Sequence, residues 1–198
     1  MKIKGEIGND FCPQSLFLYG TWKEDGTPNF GLFCWFSYNW IGDEDGDGLG
    51  VMACIGEDKL TKDLIRKNGV FSANLVSENL LPLADYYGNT FGRDTPDKMK
   101  YLPTVEKGQV LDVPTIAESP VSFELKVLEE KHLAAGSDLF LCKICNVTVE
   151  EGLRNGEVPF GERLRRAAPV VTAGEMTYCT LDGRTLGQWG EPKERLGK

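Results

Sequence analysis

The chain has 198 residues, 41% hydrophobic and 26% charged, with a formal net charge of −8. That is enough chain to bury a core within one large domain, and the acidic balance excludes the basic surface that nucleic acid requires. No apolar run approaches the roughly 20 residues of a membrane span, and residues 1–14 lack the apolar segment of a signal peptide, so a cytoplasmic protein with no membrane partner is expected. The six cysteines are then expected to stay reduced.

Residues 15–22 and 29–40 are aromatic and aliphatic, and they flank Lys23-Glu24-Asp25-Gly26-Thr27-Pro28, a turn signal centred on Asp-Gly. A hairpin of two strands is predicted there. The acidic stretch 42–48 reads as the loop leading to a buried strand over 49–55. Within it Asp43, Asp45, Asp47 and Gly48 imitate the first half of a calcium loop. The twelfth position is Cys54 rather than Glu, and strands rather than helices flank it, so calcium is excluded. The glycines at 46, 48 and 50 have the wrong spacing for a dinucleotide fingerprint.

Asp58 is the expected cap of a helix over 59–68, with Leu60, Leu64 and Ile65 on one side and Gly69 as its stop. A strand over 70–76 follows. Asn79, rather than Ser77, is the expected cap of a second helix over 80–87, because Pro82 suits a first turn. From Gly108 onward β signals dominate, with strands over 121–129, 139–150 and 170–181, and Arg163, Arg165 and Arg166 read as part of a solvated loop. Cys142 and Cys145 lie within one strand, where residues three apart face opposite sides. With no second pair and His132 as the sole histidine, no metal site is expected. The economical fold is mainly β, a mixed sheet closing on itself with two or three short helices, over one domain at 1–190 and a charged tail at 191–198.

No nucleophile and base pair is visible, and one would have to be built around His132 with no supporting motif, so a hydrolase is not expected and no catalytic residue is assigned. The pattern suits a cofactor protein, in which the bound group carries the reactive atoms. Ile55-Gly56-Glu57-Asp58-Lys59-Leu60-Thr61 runs from a strand end into a helix N-terminus, where free N–H groups and the dipole favour a phosphate. Lys59 adds a charge and Thr61 a hydroxyl. An ordinary surface helix is the alternative there, and Trp35 and Phe36 taken alone read equally as core or interface residues.

Residues 16–40 and 50–88, Asp97-Lys98, the strand at 138–144 and a terminal hairpin around Tyr178 and Leu186-Gly187 together resemble flavin reductase-like (flavoredoxin-type) domains. The resemblance implies a split β-barrel that holds FMN, ahead of FAD, near the interface of a homodimer. It implies electrons passing from NAD(P)H or a reduced redox protein through the flavin to an acceptor. It carries over Asn29, Cys34, Trp35, Phe36 and Ser37 to the ring edge and phosphate side, and Lys59 and Thr61 to the phosphate. Lys98 is carried over to the ring or the phosphate, with Met99 where family members commonly have Phe. The usual Gly-Asp-His reads Gly136-Ser137-Asp138 here, so its histidine is missing and His132 is the candidate to reach the pocket. Two other readings stay open: an electron carrier or flavin store without a nicotinamide site, and a barrel binding module that has lost flavin.

Overall fold

Strand β1 (Gln14–Ser15) leads into β2 (Phe17–Trp22), which is apolar on both faces because both are covered. Phe17 and Tyr19 point into a cluster with Val51, Phe71, Phe123 and Phe140, whereas Leu16 and Leu18 join a second with Phe30, Val76, Ala84 and Tyr87. The computed structural model describes residues 1–44, 46–134, 136–175 and 177–184. Asp45, Leu186-Gly187 and the tail at 191–198 therefore lie outside the described residues.

The expected turn joins β2 to β3 (Pro28–Phe33): Gly26 takes a φ of 78°, and the Asp25 carboxylate accepts the Thr27 N–H at 2.9 Å and its hydroxyl at 2.6 Å. The run 29–40, however, is not one strand. It breaks at Cys34-Trp35, where the Phe36 N–H donates back to the Cys34 carbonyl at 3.0 Å, and β4 (Phe36–Asp43) pairs instead with β5 (Gly46–Ile55). An unbroken aromatic run with no proline at the corner hides the break. The acidic stretch is mostly strand, extending to Asp43 on one side and from Gly46 on the other.

Helix α1 (Leu60–Asn68) stops at Gly69 as expected, with φ 69° and its N–H donating to the Ile65 carbonyl at 2.8 Å. Its N-cap is Lys59, without a side-chain hydrogen bond, and Asp58 is drawn away by Arg93 instead of capping. After β6 (Val70–Leu75), a 3-10 turn at Glu78–Leu80 absorbs Asn79, so neither Asn79 nor Ser77 caps α2 (Leu81–Asn89) through its side chain. Strands β7 (Val105–Lys107) and β8 (Pro114–Ile116) form a small hairpin, and β9 (Val121–Ala134) and β10 (Ser137–Val149) a long, bulged one. The arginine-rich stretch is helix α3 (Phe160–Ala167), not a loop. Arg163 donates to the Leu153 and Val158 carbonyls at 2.8 and 3.1 Å, and the basic last turn meets the negative end of the dipole. The expected strand over 170–181 is two, β11 (Val170–Thr172) and β12 (Tyr178–Thr180), which form a separate sheet with β1.

The main sheet has the order β3-β2-β6-β9-β10-β5-β4, so the consecutive strands β3 and β4 occupy opposite edges. Twist curls those edges together. The Phe36 ring on β4 stacks 4.3 Å from Phe17 on β2 and lies 5.8 Å from Phe123 on β9, filling the interior of a nearly closed, mainly β architecture with three α-helices among the described residues. One face of β3, at Asn29 and Gly31, meets the start of α1.

Candidate functional site

Three segments distant in sequence meet where β3, the start of α1 and the chain after α2 come together. They line a cleft with Asn29, Gly31 and Leu32, with residues 58–61, and with Tyr87, Gly88, residues 90–94 and Lys98. Its enclosed space is about 40 Å³, room for roughly three water-sized groups. That fits one phosphoryl head, not a ring system. The approach to α1 passes through Glu57 in a left-handed conformation, φ 63°, a costly geometry for a side-chain-bearing residue that turns the backbone sharply from β5 into the helix.

The first N–H groups of a helix have no intrahelical acceptor, and Leu60 and Thr61 present theirs at this end, while those of Lys62 and Asp63 turn back to the Lys59 carbonyl. Asn29 Nδ2 donates to Thr61 Oγ1 at 2.8 Å in a buried contact, which leaves the threonine hydrogen free to be donated onward. Gly31 is obligatory beside it: a Cβ there would lie 2.8 Å from Thr61 Oγ1. Lys59 Nζ sits 2.9 Å from the exposed Glu57 carboxylate and 4.7 Å over the Phe91 ring.

Lys98, only 7% exposed, is the unusual group. Its ammonium lies 5.8 Å from the centre of the Tyr87 ring, and among the described residues no carboxylate comes within ion-pair distance of it. Burial, with the neighbouring Lys59 charge adding to it, pushes its pKa down from 10.5 to about 8. A buried cation with no carboxylate partner among the described residues, next to a second cation and a helix N-terminus, is suited to receive an anion.

A buried ion pair braces the helix from behind. Asp138, opposite Ile55 on β10, accepts from Lys62 Nζ at 2.7 Å and Arg66 Nη2 at 2.8 Å, and pairs with His132 Nδ1 at 2.8 Å. Lys62 also donates to the Gly136 carbonyl at 2.8 Å. The hydrogen bonds from Lys62 and then His132 hold the Asp138 carboxyl far below the usual carboxylate range.

Of the residues named from sequence, Asn29, Lys59, Thr61 and Lys98 share the cleft. Cys34 lines an adjoining, more apolar cleft of about 320 Å³ that shares Leu32 and Gly88 with the first and includes Phe33 and Tyr178, and burial pushes its thiol pKa up. Trp35 is half exposed at the β3 to β4 corner, its ring 4.0 Å from where a Cβ on Gly56 would stand. Phe36 packs inside the barrel, Ser37 is exposed on β4, and His132 is an exposed partner of Asp138. None of these three lines the cleft. Sequence reasoning missed Tyr87, Phe91, Gly92 and Arg93. The short spacing of Gly88 and Gly92 around Phe91 was the available signal for a close-packed strap.

Residues 12–172 match the family described as flavin reductase like domain. The chain belongs to that family. This flavin reductase-like domain superposes on flavoredoxin from Methanosarcina acetivorans with a TM-score of 0.81 at 21% identity, over 98% of each chain. On flavoredoxin of Desulfovibrio vulgaris (Miyazaki F) the score is 0.80 at 23% identity, over 98% of this chain and 100% of that one. An FMN-binding protein from Thermus thermophilus matches at 0.72 and 20% identity, over 95% and 98%. At such identities the likeness is one of fold, the split β-barrel. An uncharacterized protein of Aeropyrum pernix is 30% identical over 129 residues, and the flavin reductase-like domain spans about half of that relative's length, 49%.

Proposed function

We propose that the protein is an FMN-binding flavoprotein of flavoredoxin or flavin reductase type, which accepts electrons from NAD(P)H or a reduced redox protein and passes them to an acceptor. The observation that carries this reading is the buried Lys98, without a carboxylate partner among the described residues, beside the start of α1 in a chain of the flavin reductase-like family. A phosphate monoester matches the cationic cleft in charge and in hydrogen-bond donors. Thr61 donates its hydroxyl hydrogen, oriented by Asn29, the first α1 amides donate theirs, and Lys59 and Lys98 neutralise the charge. The naming of the Thermus thermophilus neighbour as FMN-binding supports the choice of flavin.

With the phosphate at this end, the ring is expected to run along β3 toward Cys34 and Trp35, over the adjoining apolar cleft. FMN supplies the redox chemistry when bound, and the chain holds it, orients it and keeps water from one side. Lys98 then serves the phosphate rather than the ring, because it shares its enclosed space with Lys59 and Thr61. A homodimer is part of the same proposal. It is supported by edge strand β4, which carries Tyr38 at 51% and Trp40 at 80% exposure.

The test is flavin binding by the purified protein and by Lys59→Glu. Heat should release FMN, and the variant should lose FMN affinity by about a hundredfold while binding riboflavin almost unchanged. Equal losses for both ligands would move the phosphate elsewhere.

A further inference from the structure

The strap at 90–94 closes the anion cleft from outside. Phe91 lies beneath the Lys59 ammonium, and Gly92 presses on the first residue of α1, since a Cβ there would meet Leu60 Cδ2 at 3.2 Å and Asn29 Oδ1 at 3.6 Å. The strap is itself a tight turn, with the N–H groups of Asp94 and Thr95 both donating to the Phe91 carbonyl, at 3.1 and 3.0 Å. One side chain pins it to the helix. Arg93 Nη2 donates to Asp58 Oδ1 at 2.8 Å and also to the Asp63 carboxylate, spanning the residue before the N-cap and the first turn of α1.

Charge is layered in the same way. The buried floor is cationic, with Lys98, whereas the lining also carries Asp58 and Asp94, and Glu57 stands beside them on Lys59; the Asp58 side chain is 81% and the Glu57 side chain 66% exposed. Of these carboxylates, Arg93 neutralises only Asp58, and Lys59 pairs with Glu57. A terminal phosphate needs one way out, for its ester oxygen. A pyrophosphate needs two, and its second phosphate would sit among these carboxylates.

We propose that Arg93, by pinning the strap, is a specificity-determining residue that restricts the cleft to a terminal phosphomonoester and turns away pyrophosphate esters. The inference rests on the flavin reading for the identity of the monoester. It has a consequence for donors as well: a nicotinamide dinucleotide does not enter by its pyrophosphate here and docks over the flavin ring side instead.

The test measures binding of riboflavin, FMN and FAD to the ligand-free protein, and its thermal protection by inorganic phosphate and by pyrophosphate. The native protein should prefer FMN to FAD by about a hundredfold, and phosphate should protect where pyrophosphate does not. In Arg93→Gln the preference should fall to about tenfold or less, with riboflavin unchanged. The double variant Asp58→Asn with Arg93→Gln restores the local charge but not the pin, so discrimination should stay low there as well. FAD binding within about threefold of FMN in the native protein, or an unaltered ratio in Arg93→Gln, overturns the proposal and leaves the flavin reading standing. Phosphate protection that excludes pyrophosphate, without any flavin binding, does the reverse. Binding of neither flavin nor phosphate overturns both.

Discussion

Lys98→Met should make the ligand-free protein more stable and its complex with FMN weaker. Lys98 is 7% exposed, and its pKa is lowered from 10.5 to about 8 by burial and by Lys59. At about 1.36 kcal/mol per pH unit the charged form is penalised by about 3 kcal/mol, which solvent at the cleft mouth reduces to about 2. The sign follows from linkage. The folded pKa lies below the unfolded one, so stability tied to this group is full above pH 10.5 and is lost as pH falls toward 8, leaving the whole penalty in place at pH 7. Methionine keeps the length and apolar contacts of the lysine stem without the charge. Thermal unfolding of the ligand-free protein at pH 7 should therefore shift upward by roughly 4–8 °C, and the gap between variant and native protein should shrink toward pH 10. FMN, whose phosphate restores the lysine charge, should bind the native protein with proton uptake near pH 8 and bind Lys98→Met at least tenfold more weakly. A ligand-free variant no more stable than the native protein at pH 7, or a gap that does not change with pH, would refute the reasoning.

Gly31→Ala places a methyl 2.8 Å from Thr61 Oγ1 and 3.0 Å from the Phe33 ring; FMN affinity should drop by about tenfold with riboflavin affected less, and fluorescence titration that found no change would separate Thr61 from the phosphate. Asp138→Asn leaves Lys62, 3% exposed, without its carboxylate, and chemical denaturation should show a loss of about 3 kcal/mol. Because the Asp138 carboxyl is held below the usual range, its stabilisation is present above ordinary carboxylate pKa values and is lost only in strong acid, so the difference between Asp138→Asn and the native protein should persist down to about pH 4. Trp40→Asp should convert a dimer into monomers in light scattering at micromolar concentration; a native protein already monomeric with FMN bound would contradict the interface on β4.

What the sequence determined by itself is local. The Asp25-Gly26 turn, the Gly69 stop of α1 and the strand at 70–75 follow from residues within a few positions of one another, and the open helix start at residues 55–61 follows from one strand meeting one helix. The family resemblance added Asn29 and Lys98, which the cleft brings together with Lys59 and Thr61. The corner at Cys34-Trp35 was not legible, because an aromatic run looks the same whether it continues one strand or crosses to the far edge of a closing sheet. Nor was the capping of α1, since Asp58 is a good local cap that Arg93, 35 residues away, takes for an ion pair. The missing charge balance at Lys98 is likewise a tertiary fact. In sequence Lys98 reads equally as a solvated surface lysine, and only the packing of Tyr87, the strap and the start of α1 around it removes water and leaves the cation without a carboxylate partner among the described residues.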